Sequence, residues 1–213
     1  MCFFNALSVN SATLENRYKV DFPDRAKFVA IERGNGFAAI TWPVITGELP
    51  GKIEMQKWGL VPSWVPDAES AKKISIQTLN ARSETVFEKP SFRNSIKTRR
   101  CLIPSTGFYE WQHEGKKKIP WYISINNTEI FSMAGIWDEW VNPDSGEIFR
   151  GFSILTTKAN SIMEKIHNTK KRMPVIVLGE AENRWLKKDI SESEISEMFE
   201  AIQNDEIKAK QLA

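Results

Sequence analysis

Short apolar segments separated by turn-forming residues recur along most of this 213-residue chain and limit the folds open to it. Residues 53–56 alternate between apolar and polar side chains, as a half-buried strand does. Residues 108–111 and 121–125 flank a lysine-rich loop, which predicts a β-hairpin. Further strands are predicted at residues 28–31, 37–40, 43–45, 100–104, 131–137, 149–155 and 175–178, with turns at residues 33–36 and 142–146.

Helical patterns are fewer. Residues 11–21 and 160–166 each predict a short helix, and residues 80–98 are predicted to be helical in part. From residue 182 the pattern predicts an amphipathic helical tail, whose apolar side carries Trp185, Leu186, Ile195, Met198, Phe199 and Ile202. Many short strands with few helices predict an α+β fold, in which helices flank a curved or barrel-like, mostly antiparallel sheet.

Charge divides the chain into a basic body and an acidic tail. Residues 180–213 contain nine acidic and five basic residues, which leaves 18 acidic and 24 basic residues in the body. A basic body is compatible with a polyanion-binding face, and a mixed solvated surface explains the same balance. One domain over residues 1–213 is expected, with residues 180–213 packed on it as the acidic helical tail.

The two cysteines, Cys2 and Cys101, lie far apart and outside any C-x-x-C pair. Without a disulfide framework, a signal-peptide pattern or an apolar stretch of about 20 residues, we expect a cytoplasmic protein that does not enter a membrane. The cysteines and the two histidines lack the short spacings of zinc ligands. A glycine-rich phosphate loop is also absent from the sequence, so neither a metal nor a cofactor is expected.

Cys2 becomes the first residue once Met1 is removed, and it then carries a free amine and a thiol on adjacent carbons. An α-amine has a pKa near ~8 and a thiol near ~8.5, so both groups are partly nucleophilic at neutral pH. The amine can condense with an aldehyde to an imine, and the thiolate can then close a durable thiazolidine ring. The alternative is a second residue in a flexible terminus, without a chemical role.

Three other features suggest chemistry. Glu110 lies in the aromatic segment 107–111, where burial among rings would raise its pKa and suit it to general acid–base catalysis. An outward-facing strand glutamate is the alternative. His167 follows a helical pattern and precedes a basic run, although a structural histidine is equally compatible with that place. Trp58 and Trp64 could stack on the bases of a single strand, or could belong to the core.

Taken together, these motifs resemble the SRAP family, the SOS response-associated peptidases that process abasic sites. The resemblance runs in family order over most of the chain. Its motifs are Met1-Cys2, residues 58–64 (WGLVPSW), 80–85 (NARSET), 100–104 (RCLIP), 107–111 (GFYEW), and His167 with residues 172–174 (RMP). In two places the sequence departs from the family pattern: Phe3-Phe4 stands where Gly-Arg is common, and the spacing from His167 to Arg172 is longer.

The resemblance implies an enzyme that binds abasic sites in single-stranded DNA and cross-links to them through Cys2, with autopeptidase and lyase-like steps. Asn80 would orient the ring or the Cys2 amine. Glu110 would shuttle protons, and His167 would assist opening of the sugar. The implied catalytic set is therefore Cys2, Asn80, Glu110 and His167.

The resemblance also implies a DNA-binding set. Arg82 and Arg172 would hold the phosphates beside the lesion, and Trp64 would pack against an exposed base. Trp58 and Thr156 complete the set. A cytoplasmic monomer, associated with the nucleoid when bound to DNA, is expected. On the residues alone, a peptidase with an N-terminal nucleophile acting on other proteins and a non-catalytic nucleic-acid-binding module remain open.

Overall fold

The structure is a computed structural model that describes residues 2–212. Within them the chain forms the strands β1 (Phe4–Leu7), β2 (Ile31–Asn35), β3 (Thr41–Thr46), β4 (Ile53–Trp58), β5 (Asn80–Arg82), β6 (Arg100–Ser105), β7 (Gly107–Glu114), β8 (Lys117–Ile125), β9 (Phe131–Val141), β10 (Ile148–Lys158), β11 (Arg172–Pro174), β12 (Ile176–Val177) and β13 (Ile207–Gln211). The helices are α1 (Ser11–Tyr18), α2 (Ala68–Gln77), α3 (Ser95–Thr98), α4 (Ser161–Ile166), α5 (Glu180–Leu186) and α6 (Glu192–Glu197).

Five strands close into a barrel. β10 pairs with β4, β4 with β3, β3 with β6, β6 with β9, and β9 pairs back with β10. Only the β10–β4 pair of this ring is parallel, so the predicted barrel-like, mostly antiparallel sheet is confirmed. Closure leaves this ring without a free edge.

Strands β5, β11 and β12 attach to the barrel, and β5 runs parallel to β10 with Asn80 opposite Ile154. Large aromatic side chains fill the core beside this junction. The ring of Trp58 lies 6.2 Å from that of Phe152 and 6.3 Å from that of Trp42, and all three side chains are buried. The core therefore fixes the strand that carries Asn80.

A second, antiparallel sheet has the strand order β13-β8-β7-β1-β2. The hairpin of β7 and β8 is the one that the lysine-rich loop predicts. β1 lies between β7 and β2, with Phe4 opposite both Tyr109 and Asn35. A strand paired on both sides holds the start of the chain against the body of the protein.

Two regions differ from their predictions. Strands were expected at residues 28–31 and 37–40, but β2 and β3 occupy 31–35 and 41–46. Between them the Asn35 side-chain oxygen accepts a hydrogen bond from the Phe37 N–H and begins a short 3₁₀ turn. Ala39 then adopts left-handed backbone angles, with φ 47°, which end any extended segment there.

The end of the chain is not wholly helical as predicted, because two short helices, α5 and α6, are followed by strand β13. β13 pairs with the edge of β8, with Ile207 opposite Ile125. Residues 80–98 likewise contain little helix, since residues 80–82 form β5 beside β10. In both cases a neighbouring strand offers backbone partners that a local pattern does not reveal.

Membrane-spanning helices were sought among residues 2–212, and none there combines the required length with the required hydropathy.

Gly135 in β9 provides a test of barrel packing. A Cβ atom at this position would lie 2.5 Å from the Ile103 side chain and 3.0 Å from the Cys101 sulfur, in a part of the core with little room to move. We expect Gly135→Ala to lower the free energy of unfolding by about 1–3 kcal/mol, measured by urea denaturation. Gly51→Ala is the control, because a Cβ atom there meets nothing within 4 Å; equal stability of the two variants would contradict the packing argument.

Candidate active site around Cys2

Cys2 is fully buried, and only Phe3 separates it from the first residue of strand β1. The alternative of a cysteine in a flexible terminus is therefore wrong. Its carbonyl oxygen accepts a hydrogen bond of 2.9 Å from the Asn80 side-chain amide. Its thiol contacts the Phe4 carbonyl at 3.8 Å. Burial raises the pKa of the Cys2 thiol far above its ordinary value, and the nearby Glu110 carboxylate adds to this rise. The thiol therefore needs a base to become nucleophilic.

Asn80 reaches Cys2 because its strand, β5, is fixed both by a neighbouring strand and by a hydrogen bond to the residue before it. β5 pairs with β10, and the preceding residue, Leu79, accepts a hydrogen bond of 2.9 Å from the Trp58 indole. Trp58 is only 1% exposed, so its ring cannot stack on a DNA base in this structure, contrary to the DNA-binding role expected of it. Its large apolar side chain is better satisfied in the core, where it anchors the strand beside Cys2.

Glu110 lies on the inward face of β7, so the outward-facing alternative is wrong. The side chain is 5% exposed, and burial raises its pKa to about 7. A carboxyl group with that pKa is present in both protonation states near neutral pH, which is the requirement for passing protons in both directions.

His167 follows α4 and is buried close to the Glu110 carboxylate. Its Nε2 atom lies 4.0 Å from Oε2 of Glu110. Its Nδ1 atom lies 2.9 Å from the Arg172 carbonyl oxygen, a contact that a proton on Nδ1 satisfies. Burial lowers the pKa of His167 to about 4, so the ring is neutral at neutral pH, with its Nε2 atom toward Glu110.

A reciprocal pair of hydrogen bonds holds the loop after His167 against β7. Asn168 donates to the His113 carbonyl at 2.8 Å, and the His113 N–H donates to the Asn168 side chain at 3.0 Å. This pair joins the two segments that carry His167 and Glu110. The distance between Glu110 and His167 is thus set in part by the hydrogen bonds between the Asn168 side chain and the His113 backbone.

Arg172 and Thr156 are buried in this structure, contrary to the DNA-binding roles that the resemblance implies for them. Arg172 is 4% exposed, and its guanidinium contacts the Glu84 carboxylate and the Thr156 carbonyl. Thr156 is fully buried beside the Ala81 carbonyl. A buried guanidinium paired with a carboxylate is retained by its partners, so these residues brace β10 and β11 against the site.

Arg82 and Trp64 are accessible, but they lie in different surroundings. The Arg82 side chain is 61% exposed and lies 3.8 Å from the Glu84 carboxylate. Trp64 is 55% exposed in the loop between β4 and α2, which is anchored where the Trp140 indole donates to the Val65 carbonyl at 2.7 Å. Among residues 2–212, no hydrogen bond, ion pair or ring contact joins Trp64 to Cys2, Glu110 or His167.

A cavity of about 450 Å³, here called the reaction cavity, opens at Glu110 and His167, and its walls also include Phe3, the residue after Cys2, with Phe4, Trp111 and Lys170. A second cavity of about 460 Å³, the basic cavity, has cations in excess over carboxylates in its lining of Arg82, Glu84, Lys158, Ala159, Glu164, Lys170, Lys171 and Arg172. Lys170 borders both. A cationic surface therefore leads to the candidate catalytic residues.

Several of these residues were not assigned by the sequence analysis. Lys170 and Lys171 belong to the basic run after His167, and such a run is a sequence signal for a phosphate-binding surface. Lys158 lies outside any basic run, so the sequence does not mark it. Arg33 on β2 holds its guanidinium 5.0 Å from the Phe4 ring and 5.4 Å from the Trp111 ring, at the rim of the reaction cavity. Only the order of strands in the second sheet brings Arg33 there.

A search of residues 2–212 for groups of three or more histidine, cysteine, aspartate or glutamate side chains that could hold a metal ion finds none.

The chain is similar in sequence to proteins of one family. A family model described as SOS response associated peptidase (SRAP) matches residues 1–213. "Abasic site processing protein YoqW" of Bacillus subtilis is 37% identical over 159 residues, which are 74% of this chain and 67% of that protein. "Abasic site processing protein HMCES" of Xenopus tropicalis is 33% identical over 153 residues, and the match spans 44% of its length.

Solved structures show the same fold. A crystal structure of a protein from Bacteroides thetaiotaomicron superposes with a TM-score of 0.96 at 39% identity, and covers 100% of this chain and 92% of that one. A second, from Bordetella bronchiseptica, has a TM-score of 0.85 at 21% identity and covers all of both chains.

The raised pKa of Glu110 predicts a pH-dependent stability. Because the folded-state pKa of about 7 lies above the unfolded value, the folded protein binds the extra proton, and stability is lost as pH rises toward and through 7. Glu110→Gln removes this loss. Between pH 5 and pH 8 we expect the variant to gain about 2–3 kcal/mol of unfolding free energy relative to the unsubstituted protein.

Urea denaturation at the two pH values measures this gain. His167, whose pKa is lowered from 6.5 to about 4, gives the opposite slope over an overlapping pH range and lies 4.0 Å from Glu110, so the difference is measured again in a His167→Gln background to remove the coupling between the two groups. Glu114→Gln, an exposed substitution on the same strand, is the control. A Glu110→Gln difference that does not change with pH would show that the carboxyl group titrates normally.

Proposed function

Because this chain belongs to the SOS response associated peptidase (SRAP) family, we propose that it processes abasic sites in single-stranded DNA by a covalent cross-link to Cys2. The observation that carries the proposal is the burial of Cys2 near Glu110, a carboxyl group with a pKa near neutrality, which lines an open cavity together with the neutral His167. The names of the B. subtilis and X. tropicalis relatives supply the substrate class.

The reaction joins an aminothiol to an aldehyde with loss of one water. After removal of Met1, the Cys2 amine attacks C1′ of the opened sugar and gives a carbinolamine. Glu110 in its acid form protonates the departing hydroxyl, which leaves as water, and the carbinolamine becomes a protonated imine. The resulting carboxylate then takes the thiol proton, and the sulfur bonds to the imine carbon as the C=N electron pair returns to nitrogen, which keeps its own proton in the neutral thiazolidine. Glu110 meets both demands because its pKa lies near neutrality.

Its place near Glu110 suits His167 to opening the sugar. A closed abasic sugar is a hemiacetal, and ring opening moves a proton from the anomeric hydroxyl to the ring oxygen. A neutral imidazole with a lone pair on Nε2 accepts the first proton and returns it to the second atom. The hydrogen bond between Nδ1 and the Arg172 carbonyl holds the ring in the required orientation.

The role of Asn80 is to position Cys2. Its amide holds the Cys2 carbonyl at 2.9 Å, which fixes the backbone that carries both nucleophiles. Formation of a five-membered ring requires the amine and the thiol to meet the same carbon, so a restrained Cys2 reduces the entropy lost in that step.

Exposed cations of the basic cavity are suited to the phosphates on one side of the lesion. Arg82, Lys158, Lys170 and Lys171 are exposed there, and Lys170 continues into the reaction cavity. Phosphate contacts of this kind bind any sequence and place the reactive sugar without reading its neighbours.

Cross-linking tests the proposal directly. The protein with Met1 removed is mixed with a single-stranded oligonucleotide that contains one abasic site and is run on a denaturing gel. We expect a heat-stable shifted band, and its loss in Cys2→Ala, because the amine that remains forms only a reversible imine. Cys101→Ala, the matched control at a cysteine buried in the barrel, retains the band. Binding without a covalent band would favour a non-catalytic module, and peptide turnover alone would favour a peptidase.

Phosphate contacts also predict a steep response to salt. For undamaged single strands, each cation that contacts a phosphate contributes about −0.7 to the slope of log K against log salt concentration. Lys170→Ala is expected to make the slope shallower by about this amount and to weaken binding of all sequences alike. Fluorescence anisotropy at several salt concentrations measures both.

Lys188→Ala removes an exposed lysine from the chain end beyond α5 and is expected to leave the slope unchanged. Equal slopes for the unsubstituted protein and Lys170→Ala would remove the basic cavity from the DNA path.

A further inference from the structure

A third cavity of about 360 Å³ shares Phe3 as a lining residue with the reaction cavity. We call it the apolar cavity, and its walls include Phe3, Phe37, Ile76, Leu79 and Phe92. Its volume lies at the lower end of the range for pockets that hold small ligands, about 300–1,000 Å³. Phe37 and Ile76 are 50% and 48% exposed, so two large apolar side chains at its rim face solvent.

Polar and cationic side chains surround this apolar surface. Gln77, Asn80 and Thr85 line the same cavity, and the exposed cations Arg82 and Lys89 complete its rim. An occupant that suits both parts has a flat apolar body and an attached anion. A nucleotide has this combination, because a base presents an aromatic face and its phosphate carries the charge.

Three contacts place the apolar cavity beside the reactive residue. Phe3 follows Cys2 directly in the chain and lines both the apolar and the reaction cavities. Asn80 lines the apolar cavity while its amide holds the Cys2 carbonyl at 2.9 Å. Arg82 lines both the apolar and the basic cavities. A group in the apolar cavity is therefore an immediate neighbour of whatever Cys2 captures.

The aromatic walls are held in place for stacking. The rings of Phe3 and Phe37 are 4.7 Å apart with an interplanar angle of 40°, so they form one bent surface with no gap between them. The Gly36 N–H donates to the Phe3 carbonyl at 3.0 Å, which ties the turn that carries Phe37 to the start of the chain. A base would stack against this surface at little cost in side-chain entropy.

We propose that the apolar cavity binds the base of the nucleotide next to the abasic sugar, and that this contact selects lesions with an intact neighbour. The proposal rests on the proposed function. It makes Phe37 a positioning residue for capture, since it would hold the strand while the opened sugar reaches Cys2.

The test compares three oligonucleotides that differ only beside the abasic site. One has bases on both sides, and each of the others has a non-reactive, base-less tetrahydrofuran nucleotide on one side. All three carry the same phosphates, so the electrostatic contribution is constant. Initial rates of cross-linking are measured below saturation. We expect the unsubstituted protein to lose about tenfold in rate when the base on one particular side is removed, as stacking energies of single bases indicate.

Phe37→Ala should abolish this preference and react with the three oligonucleotides at similar rates. Ile148→Ala is the matched control, because Ile148 is also an exposed apolar residue, 60% accessible. It lies six positions along β10 from Ile154, the residue opposite Asn80, or roughly 20 Å at 3.3 Å per strand residue. Ile148→Ala should retain the full preference.

The outcomes separate the two proposals. Equal rates for all three oligonucleotides with the unsubstituted protein would overturn the base-binding inference while leaving covalent capture in place. The same holds if Phe37→Ala slows all three alike, since Phe37 would then serve the scaffold only. Absence of a cross-link with any oligonucleotide would instead overturn the proposed function.

Discussion

The pairing of β1 between β7 and β2 is the interaction on which the site depends. A chain terminus usually gains too few contacts to be ordered, because it has neighbours on one side only. Here backbone hydrogen bonds to two strands hold the segment that follows Cys2, and Asn80 holds the carbonyl of Cys2 itself. The terminal segment becomes part of the sheet, and its second residue becomes part of the core.

Burial then gives three groups the properties that the chemistry requires. It disfavours the charged form of each, so the pKa of Glu110 rises, the pKa of His167 falls, and the Cys2 thiol stays protonated. At neutral pH this leaves a proton-exchanging carboxyl group near a neutral imidazole and a protonated thiol. One physical cause thus sets the protonation state of all three groups. This burial lowers the free energy of unfolding when Glu110 is ionised, because its carboxylate is poorly solvated there.

Two buried motif residues, Trp58 and Arg172, hold other residues of the site in position. Trp58 fixes the residue before Asn80 through a backbone carbonyl, and Arg172 fixes His167 through another. Both side chains would be read as DNA contacts from their chemistry alone. In the proposed function, contact with DNA therefore falls to residues around them, namely the exposed cations Arg82 and Lys170 and the aromatic surface of Phe3 and Phe37.

The sequence by itself determined the features that depend on local pattern and residue type. The β7–β8 hairpin follows from alternation around a lysine-rich loop, and the aldehyde chemistry open to Cys2 follows from an amine and a thiol on adjacent carbons. The tertiary structure alone decided burial and juxtaposition. Closure of the barrel, the strand β13 beside β8 and the position of Arg33 near Trp111 all join residues far apart in sequence. Their energies come from partners that only the folded chain supplies, and a side chain's type does not reveal whether water reaches it.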